Sequence, residues 1–342
     1  MKKHLKVVPG FALALVIAAV AKWLESLLPI HLIGASVIAL FIGMGLHQIK
    51  TPSSAVKAGL QFTSKKVLKF AIVLLGASLS IGTILHVGKL SLTVMVFTLL
   101  TCFGGGYFVG KALGLDWKLS NLISAGTGIC GGSAIASIAP VIDADDKDIA
   151  YAMSATFLFD MAMIVAFPIM GRAMGLSDMA YGLWAGTAVN DTSSVVAAGY
   201  AYSEAAGDFA TMVKLTRTLS IIPTVVIFSL INANLKRKAA LSSGQTAVNS
   251  SRPQITSLLP WFIIAFVAVA IINSIGLIPS AISAALKELS KFLMVAALAA
   301  IGLNTNINEM RRSGIAPMVH GFIISALVVV VAIGVEYCIG LV

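Results

Sequence analysis

Apolar residues in this chain come in runs of about twenty, separated by short polar or charged stretches. A run of that length matches the hydrocarbon thickness of a bilayer. Runs and turn residues together predict about eleven crossings, near 8–28, 31–49, 66–86, 89–112, 118–142, 146–171, 179–203, 206–233, 257–276, 290–310 and 315–340. Segments 53–65 and 280–290 have the pattern of amphipathic helices and are expected not to span.

Two runs are interrupted by polar and small residues. Residues 125–134 read Ala-Gly-Thr-Gly-Ile-Cys-Gly-Gly-Ser-Ala, and 185–194 read Ala-Gly-Thr-Ala-Val-Asn-Asp-Thr-Ser-Ser. Lipid offers no partner to a free backbone N–H or C=O, so a broken helix at that depth must be buried in protein or line a wet cavity. Such discontinuous helices build the midplane sites of many secondary transporters. The pattern therefore predicts an all-α polytopic membrane protein with discontinuous helices crossing near the bilayer midplane.

Composition agrees. Hydrophobic residues make up 58% and charged residues 11%, where soluble domains carry about 25% charge. Nothing is long and polar enough to form a soluble domain, so residues 1–342 read as one transmembrane unit with a flexible basic loop at about 234–256. The net charge of +10 collects at span ends, which argues for membrane orientation and against a nucleic-acid partner. With the N-terminus cytoplasmic, Lys50, Lys57, Lys65, Lys66, Lys111, Lys118, Arg172 and Arg311 fall inside. Asp143, Asp145, Asp146, Asp148, Glu204 and Asp208 fall outside, and so does the C-terminus. Lys2, Lys3 and Lys6 before an apolar run imitate a signal peptide, but the spans continue at once, so an uncleaved first span is expected.

Repeats are hinted at twice. The spans after Lys69-Phe70 and Lys291-Phe292 share a spacing of twelve between Gly76 and Gly88 and between Gly302 and Gly314, as inverted repeats would. A division into one extra span plus two sets of five is the alternative. The two breaks also resemble each other, yet on this topology both spans run outward, so the breaks are not expected to be inverted mates.

Candidate chemistry gathers at the breaks. Gly126, Gly128, Gly131 and Gly132 permit non-helical backbone, and a half-helix starting near Ser133 would offer unsatisfied N–H groups to an anion. Thr127, Cys130 and Ser133 stand beside them; close helix packing is the competing use of these glycines. In the second break Asn190, Asp191, Thr192, Ser193 and Ser194 are consecutive. A carboxylate at this depth needs a partner, water or a proton, so Asp191, and Asp160 in its own span, are candidate ion-coupling residues or structural ion pairs. Lys214 and Arg217 share a helix face. They either neutralise an anionic substrate, with the guanidinium as a planar fork, or pair internally with Asp191 and Asp160. Asn304 and Asn306 end the tenth span and are further candidates for substrate contact. The five histidines and the three cysteines show no metal spacing, and no cofactor is expected.

The stretch from Gly126 to Pro140, the run Val195–Gly199, Lys214-Leu-Thr-Arg217 and Leu74–Leu79 resemble, in order and over essentially the whole chain, the YeiH-type sulfate exporter family of bacterial inner-membrane proteins. The resemblance implies secondary transport on a fold similar to the bile acid/arsenite/riboflavin transporters, with inverted repeats. Some members carry His-Glu where this chain has Asn190-Asp191, which implies a different pH response.

The leading functional reading is a secondary transporter of a small inorganic or organic anion, sulfate or a sulfonate, coupled to H⁺ or Na⁺. Membrane lipid is its surroundings, and a homodimer is compatible with it. An anion channel with the same polar lining is the alternative. An intramembrane enzyme using Asp160 and Asp191 as a carboxyl dyad is a third reading, but no protease motif supports it.

Overall fold

A computed structural model describes residues 7–27, 35–243, 261–305 and 314–342, and those residues form helices joined by turns, with no strand among them. Asn306, Arg311 and most of the predicted basic loop lie outside the described residues.

The chain begins with α1 (Val8–Leu27) and α2 (Ala35–Ile49). Next come α3 (Ser54–Phe62), a π-turn (Thr63–Val67) and α4 (Leu68–Leu75). They form one continuous stack, so the expected amphipathic segment 53–65 leads straight into its span. A long rod comes after it: α5 (Ile81–Leu100), a second π-turn (Thr101–Gly105) and α6 (Gly106–Ala112). After α7 (Trp117–Ala125), a third π-turn (Gly126–Cys130) and α8 (Gly132–Ile138) comes the longest single helix, α9 (Asp146–Ala173). Its 28 residues rise about 42 Å, more than the hydrocarbon core requires. Then come α10 (Asp178–Ala188), α11 (Thr192–Tyr202), α12 (Glu204–Thr218) and α13 (Ile221–Ser243). The chain ends with α14 (Trp261–Ser274), α15 (Ser280–Asn304) and α16 (Ile315–Cys338). The expected amphipathic segment 280–290 is simply the first half of α15.

Among the described residues, five continuous helices are long and apolar enough to cross a bilayer: Val8–Leu27, Ile81–Ala112, Lys147–Ala173, Glu204–Leu235 and Ile315–Cys338. Polar caps set where several helices begin. Ser80 Oγ accepts from the Thr83 N–H, Asp116 from Lys118, Ser177 from Ala180 and Ser203 from Ala206, satisfying donors that have no intrahelical acceptor.

The main departure from the sequence reading concerns the two interrupted segments. Hydropathy predicts that each crosses, and each instead turns back. Lys118 Nζ, at the start of α7, donates to the Asp143 carbonyl beyond α8 at 2.7 Å. Asn232 Nδ2 holds the Val141 carbonyl and Asp143 Oδ2, both at 2.8 Å. Segment 117–143 therefore enters and leaves on one face, here the near face. The second segment does the same from the far face. Arg172 Nη2 donates to the Ala201 carbonyl (2.9 Å), and Ser203 Oγ donates to Asp178 Oδ1 (2.6 Å). Tyr181 stacks on Tyr202 with ring centroids 3.8 Å apart and donates to the Ala198 carbonyl. Helix α9 joins the two hairpins by crossing between the faces. Asp143, Asp145 and Asp148 thus share the face of Lys118, where charge counting places them opposite. The two breaks, expected to point the same way, point at each other.

The helices sort into two bundles. One holds the hairpins among α5, α9, α12 and α16; the other packs α1, α2, α3–α4, α14 and α15 together. Its tightest crossing is α2 on α15, where a Cβ on Gly302 would lie 2.1 Å from the Leu40 carbonyl oxygen. Backbones approach this closely in membrane proteins only over small residues. The bundles are joined near the far face by ion pairs from α15 to α12. Lys287 Nζ reaches Glu204 Oε1 and Asp208 Oδ2 at 2.8 Å each, and Lys291 Nζ reaches Glu204 Oε1 at 2.7 Å.

Candidate functional site

The hairpin tips meet. Gly131 adopts φ +63°, ψ −133°, a conformation in which an L side chain is strained. A Cβ there would lie 2.9 Å from Asp191 Oδ1 and 3.0 Å from Asp191 Cβ. Glycine is required by the backbone turn and by the opposing tip together.

Breaking each helix leaves carbonyls at the end of the incoming arm and N–H groups at the start of the outgoing arm, all without intrahelical partners. Four charged side chains take up carbonyls of both incoming arms and the N–H groups of the second break. Arg217 donates from Nε to the Gly128 carbonyl (2.6 Å), from Nη2 to Thr127 (2.6 Å) and from Nη1 to Val189 (3.1 Å). Lys214 Nζ donates to the carbonyls of Ile129 (2.8 Å), Val189 (3.0 Å) and Asn190. The two cations lie three residues apart on α12 and so clamp both incoming arms at once. On the outgoing side, Asp160 accepts the Asn190 N–H at Oδ1 and the Asp191 N–H at Oδ2, each at 3.0 Å. Asp191 Oδ2 then caps α11 through the Ser193 N–H (2.9 Å) and accepts the Ser193 hydroxyl. Lys214, Arg217 and Asp160 are all at most 1% exposed.

Below the tips a cavity of about 560 Å³ opens on the near face. One wall belongs to the hairpin bundle and includes Gly131, Gly132, Asp160, Asp191, Ser193 and Thr156. The other wall belongs to the second bundle and consists of Ser64, Lys65, Ile301, Asn304 and Thr305.

Of the residues singled out in the sequence, Gly131, Gly132, Ser193, Asp160, Asp191 and Asn304 are brought together on this cavity. Thr127 and Gly128 meet it only indirectly: their carbonyls hold Arg217. Cys130 is buried behind the tip. Ser133 is exposed and Thr192 half-buried, and neither lines the cavity. Asn190 is fully buried, its Nδ2 donating to Ser325 Oγ at 3.3 Å. Lys214 and Arg217 are turned to backbone oxygens, not to the cavity. Ser64, Lys65 and Thr305 line the wall although nothing in their local sequence marks them; Lys65 reads as one more lysine at a membrane surface. Among the described residues no group of His, Cys, Asp or Glu has the arrangement of a metal site.

Comparison with known proteins agrees with the resemblance carried by the break motifs. A family profile described as conserved hypothetical protein 698 matches residues 9–321. A UPF0324 membrane protein of Clostridium tetani (strain Massachusetts / E88) is 55% identical over 334 residues, covering 97% of each chain. UPF0324 membrane proteins of Streptococcus pyogenes serotype M18 and Streptococcus pneumoniae serotype 4 are each 38% identical, covering 100% and 97% of both chains respectively. With that likeness running from end to end, the chain belongs to the UPF0324, YeiH-like family of membrane proteins.

Proposed function

We propose that the protein is a secondary active transporter moving a small anion, sulfate or a sulfonate, by alternating access with H⁺ or Na⁺ coupling. One observation carries the reading: a cavity open on a single face reaches the tips of two hairpins that enter from opposite faces. In this reading the membrane domain has nine crossings and two re-entrant hairpins, and the hairpins form an inverted pair around the binding site. The near face holds Lys50, Lys57, Lys65, Lys66, Lys111 and Lys118 and would be cytoplasmic in a bacterial inner membrane. The described state would then be inward-open, with the N-terminus inside and the C-terminus outside; export as the transport direction rests on the resemblance to the exporter family.

The hairpin bundle would rock or slide against the other bundle, since the cavity lies between them and the far-face ion pairs hold them closed. Lys214 and Arg217 would keep the tips intact during that movement. Asp191, half-buried on the cavity wall, would be the coupling group. The decisive experiment is flux of ³⁵S-sulfate and a panel of small anions in proteoliposomes, with and without proton and sodium gradients. Saturable, gradient-dependent flux supports the proposal. No movement of any anion in the panel, or large unitary currents in bilayer recordings, overturns it.

A further inference from the structure

The two cations expected to meet an anionic substrate are occupied elsewhere. Lys214 and Arg217 together donate to carbonyls of Thr127, Gly128, Ile129, Val189 and Asn190. Among the described residues, the cavity wall nevertheless holds one cation. Lys65 lines it, and among the described residues its side chain makes no ion pair or hydrogen bond. It sits in the π-turn Thr63–Val67. A π-turn inserts a residue into an α-helical stack and re-aims the side chains around it, and such turns concentrate at functional sites. Ser64, Asn304 and Thr305 lie on the same wall with hydroxyl and amide groups.

Resting on the transport reading above, we propose that Lys65 is the charge that recognises the anionic group of the substrate. Its position on the bundle opposite the hairpins gives the contact a second consequence. While the cavity is open the ammonium is hydrated and needs no partner. Closing the bundles over an empty cavity would strip that water from a charge whose facing carboxylates, Asp160 and Asp191, are already engaged with N–H groups of the second break, which is costly. Closing over an oxyanion supplies the partner in the same step. Lys65 therefore couples substrate occupancy to closure and slows return of a carrier that holds neither anion nor coupling ion.

The test is ³⁵S-sulfate flux in proteoliposomes for the parent, Lys65→Gln, Lys65→Arg and, as a control for general surface charge, Lys66→Gln. Lys66 is exposed and does not line the cavity. The expected result is a KM raised about tenfold or more in Lys65→Gln, the loss of one charge-assisted contact. Lys65→Arg and Lys66→Gln should stay near the parent. A second expected result is that Lys65→Gln gains net efflux without a proton or sodium gradient, relative to gradient-driven flux. An unchanged KM in Lys65→Gln overturns the inference and leaves the transport reading standing. Absence of anion flux in the parent overturns both. If Lys65→Gln does not reach the membrane folded, the comparison passes to Lys65→Arg and Lys65→Cys, the latter with and without amine restored by a thiol reagent. Failure of the amine to restore affinity is then the overturning result.

Discussion

Replacing Arg217 by Met should destabilise the hairpin tips by roughly 2–5 kcal/mol, from three hydrogen bonds at about 0.6 to 1.7 kcal/mol each. The side chain is 1% exposed, and its donors hold Gly128, Thr127 and Val189 carbonyls at 2.6, 2.6 and 3.1 Å. Methionine fills similar volume but donates nothing, so the Thr127 and Gly128 carbonyls lose the guanidinium donor while Val189 keeps Lys214. Polar pairs in membrane interiors are worth less than their counterparts in a dry soluble core because the unfolded chain in lipid also finds partners, which is why the lower range applies. Removing both sides of a buried charge pair can be neutral, but removing one side leaves the other unmet; here the carbonyls cannot be removed. Arg217→Lys keeps the charge and loses the fork that spans two hairpins, so it should fall between Met and parent. Thermal scans of membrane proteins are commonly irreversible, so the appropriate assay is equilibrium unfolding in bicelles by steric trapping. An Arg217→Met protein within about 0.5 kcal/mol of the parent, the range of an ordinary surface change, would refute the assignment of this guanidinium to the tips.

The same geometry makes three other outcomes testable. Gly131→Ala should abolish flux and lower stability, since strain of about 1–3 kcal/mol adds to a Cβ placed 2.9 Å from Asp191 Oδ1; normal flux in that variant would mean that the tips do not meet. In a Cys338→Ser background, single cysteines at exposed Asp116 and Asp145 should react with an impermeant thiol reagent from one face, and cysteines at Asp178 and Glu204 from the other. Labelling of Asp116 and Asp145 from opposite faces would restore a crossing at 118–142. Glu204→Gln with Asp208→Asn removes both negative charges that α12 offers to Lys287 and Lys291; half-exposed pairs are worth about 1 kcal/mol or less, so far-face labelling of a Ser203→Cys probe should accelerate by up to about fivefold, and an unchanged rate would sink the idea that these pairs hold the bundles shut.

The breaks themselves are legible in the sequence because four glycines within seven residues, or five consecutive polar residues, are out of place in a helix facing lipid. The direction the chain takes beyond a break is not. Segment 117–143 has enough residues either to cross the bilayer once or to enter and return, and hydropathy is identical in both cases. The deciding contacts are long-range: Lys118 with Asp143, Asn232 with Val141, Arg172 with Ala201. Charge counting then compounds the error, because a presumed crossing moves Asp143, Asp145 and Asp148 to the wrong face. Lys214 and Arg217 stand out in the sequence as intramembrane charges, but the carbonyls they meet lie 24 to 90 residues away and carry no side-chain signature. Lys65 is hidden for the opposite reason, being one of several lysines that orientation alone would explain.

The four charges at the tips obey a single electrostatic rule. The C-terminal end of a helix carries partial negative charge and the N-terminal end partial positive charge. Lys214 and Arg217 sit on the terminal carbonyls of the two incoming arms; Asp160 sits on the N–H groups of Asn190 and Asp191 just before α11, and Asp191 on the Ser193 N–H inside its first turn. With two cations and two carboxylates, the tips are close to neutral as a unit, which is what lets so many charges stay at bilayer depth. It also means that these residues have little net field to offer a substrate. In the transport reading, an anion arriving in the cavity would be drawn instead by the uncompensated charge on the described wall, the ammonium of Lys65, contributed by the bundle against which the hairpins would have to move.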